Sequence, residues 1–97
     1  MKGGANIDRA DDYQLTALHF AASFVQLEVC RLLLDWGANV DPMDKWKDTP
    51  LYYTVQFGHL SVVKLLVERG ADVRVKNNNG QTARDVARSW RREDVTE

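Results

Sequence analysis

Thr16, Thr49 and Thr82 stand 33 residues apart, and each opens a copy of the same short phrase. The copies run Thr-Ala-Leu-His-Phe-Ala-Ala over 16–22, Thr-Pro-Leu-Tyr-Tyr-Thr-Val over 49–55 and Thr-Ala-Arg-Asp-Val-Ala-Arg over 82–88. A second phrase keeps the period: Gly-Ala-Asn-Ile from Gly4, Gly-Ala-Asn-Val from Gly37 and Gly-Ala-Asp-Val from Gly70. Two phrases in one fixed phase imply a tandem array of like units rather than one irregular globule. At 97 residues the chain is at most one domain by length.

Aligned at the threonine, each unit has a physical logic. It begins at Asp11, Asp44 or Asn77 with turn-forming residues, clearest in Asn77-Asn78-Asn79-Gly80. Threonine follows as a helix N-cap. Pro50, next to Thr49, takes the first helical position, where its missing N–H is harmless. Leu18, Ala21 and Ala22 then fall at helical spacing, as do Leu51, Thr54 and Val55. A second helix is predicted from about Leu27 to Trp36 and from about Leu60 to Arg69. Leucines, valines and Cys30 form its apolar stripe, and Glu28, Arg31, Asp35, Lys64, Glu68 and Arg69 the polar one. Gly37 and Gly70 end it as left-handed caps. Each unit is thus turn, short helix, longer helix, loop, and a lone unit cannot cover its own apolar faces.

A 33-residue period with Thr49-Pro50-Leu51, Gly58-His59-Leu60 and Gly70-Ala71-Asp72 in phase resembles the ankyrin repeat. The resemblance implies an all-α solenoid of helix-turn-helix units joined by hairpin-like loops. It divides the chain into the tail of an incomplete repeat (1–10), two repeats (11–43 and 44–76) and a truncated C-terminal capping repeat (77–97). Arg84 and Arg88, at core columns of the pattern, suit the outer side of a cap. Two departures carry expectations about geometry. Val25 replaces the glycine between the helices, which predicts a distorted turn. Gln14 and Lys47 replace the glycine kept at Gly80, which predicts more open loop tips.

The resemblance also implies the function, a non-enzymatic module that binds another protein or peptide. In the family, loop tips and the exposed face of the first helix line a concave groove. The tip column here holds Tyr13, Trp46 and Asn79, and the column at the end of the first helix holds Phe24, Phe57 and Trp90. Five of the nine aromatics thus fall in columns that stacking leaves free. Leu15, Asp48 and Gln81 form a third column, while Phe20 and Tyr53 stand between core and groove. Trp and Tyr are enriched among interface hot spots. The candidate partner-binding residues are therefore Tyr13, Leu15, Phe24, Trp46, Asp48, Phe57 and Trp90. The competing expectation is that Phe24, Phe57 and Trp90 plug gaps between units and that the chain is a structural spacer or capping part of a larger multidomain protein, packed against neighbouring repeats or domains of that parent chain and without a ligand of its own. Trp36, outside these columns, is expected to pack between repeats. Arg84, Arg88 and Arg91 form a basic run suited to an acidic segment, or simply a solvated face.

No catalytic or cofactor-binding pattern is present. His19 and His59 stand where the repeat itself uses histidine, and Cys30 lies in an apolar stripe, so no zinc-ligand spacing arises. Cys30 is the sole cysteine, which excludes an internal disulfide and fits a reducing compartment. A formal net charge of −1 gives no general attraction to nucleic acid or to an anionic membrane. The start lacks the apolar stretch of a secretory signal, so a cytoplasmic or nuclear location is expected. By resemblance, Asp8 and Asp41 occupy a column where the family often carries a hydroxylatable Asn.

Overall fold

The computed structural model describes residues 6–89, which contain five α-helices and no strand. They are α1 (Ala17–Ser23), α2 (Leu27–Asp35), α3 (Pro50–Gln56), α4 (Leu60–Glu68) and α5 (Ala83–Ser89). The first helices α1, α3 and α5 pack side by side in one layer, and α2 and α4 in a second. The stack measures 44 × 25 × 20 Å.

Thr16 Oγ1 accepts the His19 N–H, and the His19 imidazole Nδ1 accepts the Thr16 N–H at 3.1 Å, a reciprocal capping box. Thr49 Oγ1 accepts the Tyr52 N–H ahead of Pro50. In the third unit the Asp85 carboxylate accepts the Thr82 N–H at 3.0 Å, and Thr82 Oγ1 accepts the Asp85 N–H at 3.2 Å. The column His19, Tyr52, Asp85 therefore changes chemistry without losing the cap where either a nitrogen or a carboxylate can accept.

Gly37 and Gly70 end α2 and α4 at φ of 96° and 93°. The distorted turn expected at Val25 does not occur. Val25 adopts φ of 58°, close to the 72° of Gly58, and the following N–H closes the same bond, Gln26 to Ala21 at 2.9 Å and His59 to Thr54 at 2.8 Å. Packing of α1 on α2 imposes the geometry, and the β-branched side chain absorbs the strain. Nor are the tips at Gln14 and Lys47 more open. Their φ values are 63° and 64° beside 74° at Gly80, and each N–H donates to the loop's first residue at 2.9 Å.

The core runs continuously through the units. Leu18, Ala21, Ala22 and Cys30 meet Leu51, Val55, Val62, Leu65 and Leu66, and these meet Ala83, Val86 and Ala87. Arg84 and Arg88 are exposed at columns that hold apolar residues in the earlier units. Small residues at 21 and 22 let the first helices approach closely.

Candidate functional site

Three loop tips project from one edge of the stack, and each is built on an Asx residue. Asp11 Oδ1 accepts the N–H groups of Tyr13 and Leu15, both at 2.9 Å. Asp44 Oδ1 does the same for Trp46 at 2.9 Å and Asp48 at 2.8 Å, and Asn77 Oδ1 for Asn79 at 2.9 Å and Gln81 at 3.0 Å. The tips are then tied to one another through the backbone. The Lys45 N–H donates to the Tyr13 carbonyl at 2.8 Å, and the Asn78 N–H to the Trp46 carbonyl at 2.9 Å. With every tip fixed at both ends, the central side chains form an ordered row. Tyr13 and Trp46 stack with ring centroids 6.0 Å apart and planes 11° apart. Lys45 Nζ lies 5.9 Å from the Tyr13 centroid, within cation–π range. Both rings are about half exposed.

Where α1 and α3 end, Phe20, Ser23, Phe24, Tyr53, Phe57 and His59 line an apolar depression. Phe24 and Phe57 are exposed and do not plug a gap between units. His59 is held beneath them by its Nε2–H, which donates to the Ser23 carbonyl at 3.2 Å, and its ring lies 5.8 Å from that of Phe57. Tyr53 is fixed by its hydroxyl, which donates to Asp44 Oδ2. Leu15 is half-buried and joins Tyr13 and Phe20 along a more polar depression with Arg9 and Asp12. Tyr13, Leu15, Trp46, Phe24 and Phe57 thus border a connected strip, and Phe20, left between core and groove by sequence, belongs to the exposed side.

Asp48 does not belong to the free surface. It is buried, and its Oδ1 accepts the Asn77 amide at 2.9 Å, tying the second unit to the third. Its carbonyl accepts from His19 Nε2 at 2.9 Å, tying it to the first. Burial pushes the Asp48 carboxyl above its ordinary pKa, partly opposed by the Asn77 bond. His19 is wholly buried, which lowers its pKa although the Asp48 carbonyl favours the charged ring. His19 is therefore a framework residue, with Nδ1 accepting and Nε2 donating.

Trp36, expected to pack between repeats, is exposed at the end of α2. Arg84 and Arg88 share a face of α5 one turn apart, whereas Trp90 and Arg91 lie outside the described residues. Asp41 accepts the Asp72 N–H through Oδ2 at 3.0 Å, as Asp8 accepts that of Asn39 at 2.9 Å, while Asp41 Oδ1 is buried without a partner. Cys30 is buried and its thiol is pushed up to about 11 by desolvation. Among the described residues no group of His, Cys, Asp and Glu is placed to hold a metal, and no helix is long and apolar enough to cross a membrane.

Two sequence models of one family match the chain. The first, described as Ankyrin repeats (3 copies), covers residues 37–97, and the second, described as Ankyrin repeat, covers residues 13–45. No curated protein sequence matches it.

Proposed function

Since the chain belongs to the ankyrin-repeat family, whose members are generally protein-interaction modules and typically not enzymes, we propose that it binds one partner protein through the aromatic strip along its loop tips and first helices. Trp46 and Phe57 are the anchors, flanked by Tyr13, Leu15, Phe20 and Phe24. The observation that carries this reading is a row of exposed aromatics held in place by polar residues that do not compete for their surfaces. An ordered aromatic row spends little conformational entropy on binding. The shallow, partly apolar strip suits a loop, an extended segment or a helix face of another protein. Arg84 and Arg88 provide a secondary contact for acidic residues of that partner. The setting is intracellular, where the free thiol of Cys30 stays reduced.

The test pairs Trp46→Ala with Phe57→Ala. Proteins captured by the wild-type chain and lost with the double variant are identified by mass spectrometry and then titrated in purified form. Truncating two hot spots removes on the order of 2 kcal/mol or more, so affinity falls at least about tenfold. Circular dichroism stays unchanged, because both side chains are half exposed. Unaltered affinity refutes the groove assignment.

A further inference from the structure

The second loop tip differs from its neighbours in charge. Asp12, Lys45 and Asn78 share one column of the array, and Gln14, Lys47 and Gly80 another. Of the three tips, only the second carries cations, one on each side of Trp46. Both lysines are exposed. Among the described residues neither makes an ion pair, and Lys45 makes none with Asp12 of the adjoining tip. The acidic residues of the second tip are turned inward. Asp44 is buried and uses its carboxylate on the N–H groups of Trp46 and Asp48 and on the Tyr53 hydroxyl, and Asp48 is buried against Asn77. Framework roles thus take the carboxylates, and the ammonium groups are left at the surface. Folding uses neither ammonium group. The tip is tied through the backbone N–H groups of Lys45 and Lys47, and Lys47 stands at φ of 64°, a conformation that glycine adopts with less strain.

Lys45 joins this charge to the aromatic strip, because its Nζ lies over the Tyr13 ring, which stacks on Trp46. Tyr53 makes a second connection, from its hydroxyl at Asp44 in the tip to the depression it lines with Phe20, Phe24 and Phe57. That depression lies between stacked first helices, and no carboxylate or ammonium lines it. An apolar recess and a cationic rim therefore adjoin. We propose that their occupant is a segment of a partner protein that places an apolar side chain in the depression and Asp or Glu carboxylates against Lys45 and Lys47. This deepens the groove reading and rests on it. Exposed ion pairs contribute little affinity, so the apolar contact supplies most of the binding, and the lysines select the segment and fix its direction. A nucleic-acid strand could stack on the same rings, but Asp12 on the adjoining tip repels a phosphate backbone that continues along the row.

Random peptides displayed on phage are selected on the full chain, and one enriched peptide is synthesised as the probe. Enriched sequences are expected to carry Asp or Glu close to a leucine or an aromatic residue. Lys45→Glu together with Lys47→Glu weakens the probe roughly fivefold or more with unchanged circular dichroism. A probe whose acidic residues are changed to lysine regains affinity for that variant. Enrichment without acidic residues, or a probe indifferent to the two lysines, overturns the acidic occupant while leaving the groove in place, provided Trp46→Ala with Phe57→Ala still abolishes binding. A selection that yields no peptide dependent on Trp46 and Phe57 overturns the groove and the proposal together. Displacement of the probe by a single-stranded oligouridylate assigns the lysines to nucleic acid and overturns the protein occupant.

Discussion

Lys47 and Gly80 hold the same place in successive loop tips, at φ of 64° and 74°. That equivalence makes a reciprocal pair of substitutions informative. For an L-residue the left-handed region costs about 1–2 kcal/mol, and glycine escapes this cost but loses about 0.5–1 kcal/mol through its greater freedom when unfolded. Lys47 is exposed, and the bond that closes its tip uses its backbone N–H, so Lys47→Gly sacrifices little. The difference of the two effects gives a stabilisation of about 0.5–1 kcal/mol. Gly80→Ala runs the comparison backwards. A Cβ at Gly80 meets nothing within 4 Å, so its effect is conformational alone, a loss of similar size. In a domain of this length 1 kcal/mol moves the melting temperature by about 4–8 °C. Thermal unfolding followed by circular dichroism should therefore place Lys47→Gly about 2–8 °C above wild type and Gly80→Ala about as far below. An unchanged or lower midpoint for Lys47→Gly would refute the claim that strain is stored at this tip.

The buried polar groups carry three further expectations. His19 is held below its ordinary pKa of 6.5 by burial, so the unfolded chain takes up its proton first; stability falls as pH drops below about 6.5, by at most about 1.4 kcal/mol per pH unit. Urea midpoints measured through that range should lose this slope in His19→Gln, and an identical slope in the variant would remove His19 as its source. Asp48→Asn keeps an oxygen for the Asn77 amide and removes a buried charge, so its melting temperature at neutral pH should match or exceed wild type, whereas Asp48→Ala strands the amide and costs about 1–3 kcal/mol. Equal losses in both variants would show that the Asn77 bond contributes nothing. Cys30, fully buried with its thiol pushed up to about 11, should react with a thiol reagent only as fast as the stack opens, with a rate that rises in urea; prompt labelling of the native chain counts against that burial.

The helices and caps were legible because each is fixed by local chemistry. A threonine before an apolar helical phrase, a proline after Thr49 and glycines at 37 and 70 act within one turn of their own position. Tyr13, Trp46, Phe24 and Phe57 were legible for a related reason: the period identifies columns that stacking does not use. Asp48 escaped this logic. Its neighbours in the column, Leu15 and Gln81, are only half-buried, and nothing within its own unit marks its carboxylate for Asn77 of the next. The Asp11, Asp44, Asn77 column did carry a usable signal, since three Asx residues in phase point to oxygens that accept from the tip. The backbone at Gln14, Val25 and Lys47 escaped for the opposite reason. Local preference disfavours left-handed φ there, and the packing of α1 on α2 at Val25 and the closure of each tip on its own first residue at Gln14 and Lys47 override it.

The backbone ties between tips bear on how binding residues can vary without loss of fold. Trp46 donates its N–H to Asp44 Oδ1, and its carbonyl accepts from Asn78, while the Tyr13 carbonyl accepts from Lys45. None of these bonds uses a side chain from the central tip positions. The Asx residue and the left-handed residue shape each tip, and the side chain between them is left to meet a ligand. Of the three tips, only the first two carry aromatic rings, and those two stack on each other. Each ring therefore shields one face of the other and leaves the outer faces and edges for contact. Trp46 consequently has less free surface than an isolated tryptophan but a more fixed orientation. Loss of Tyr13 would expose more of the Trp46 ring yet release it to other rotamers, so under the proposed function Tyr13→Ala should weaken binding by freeing Trp46 as well as by removing its own ring.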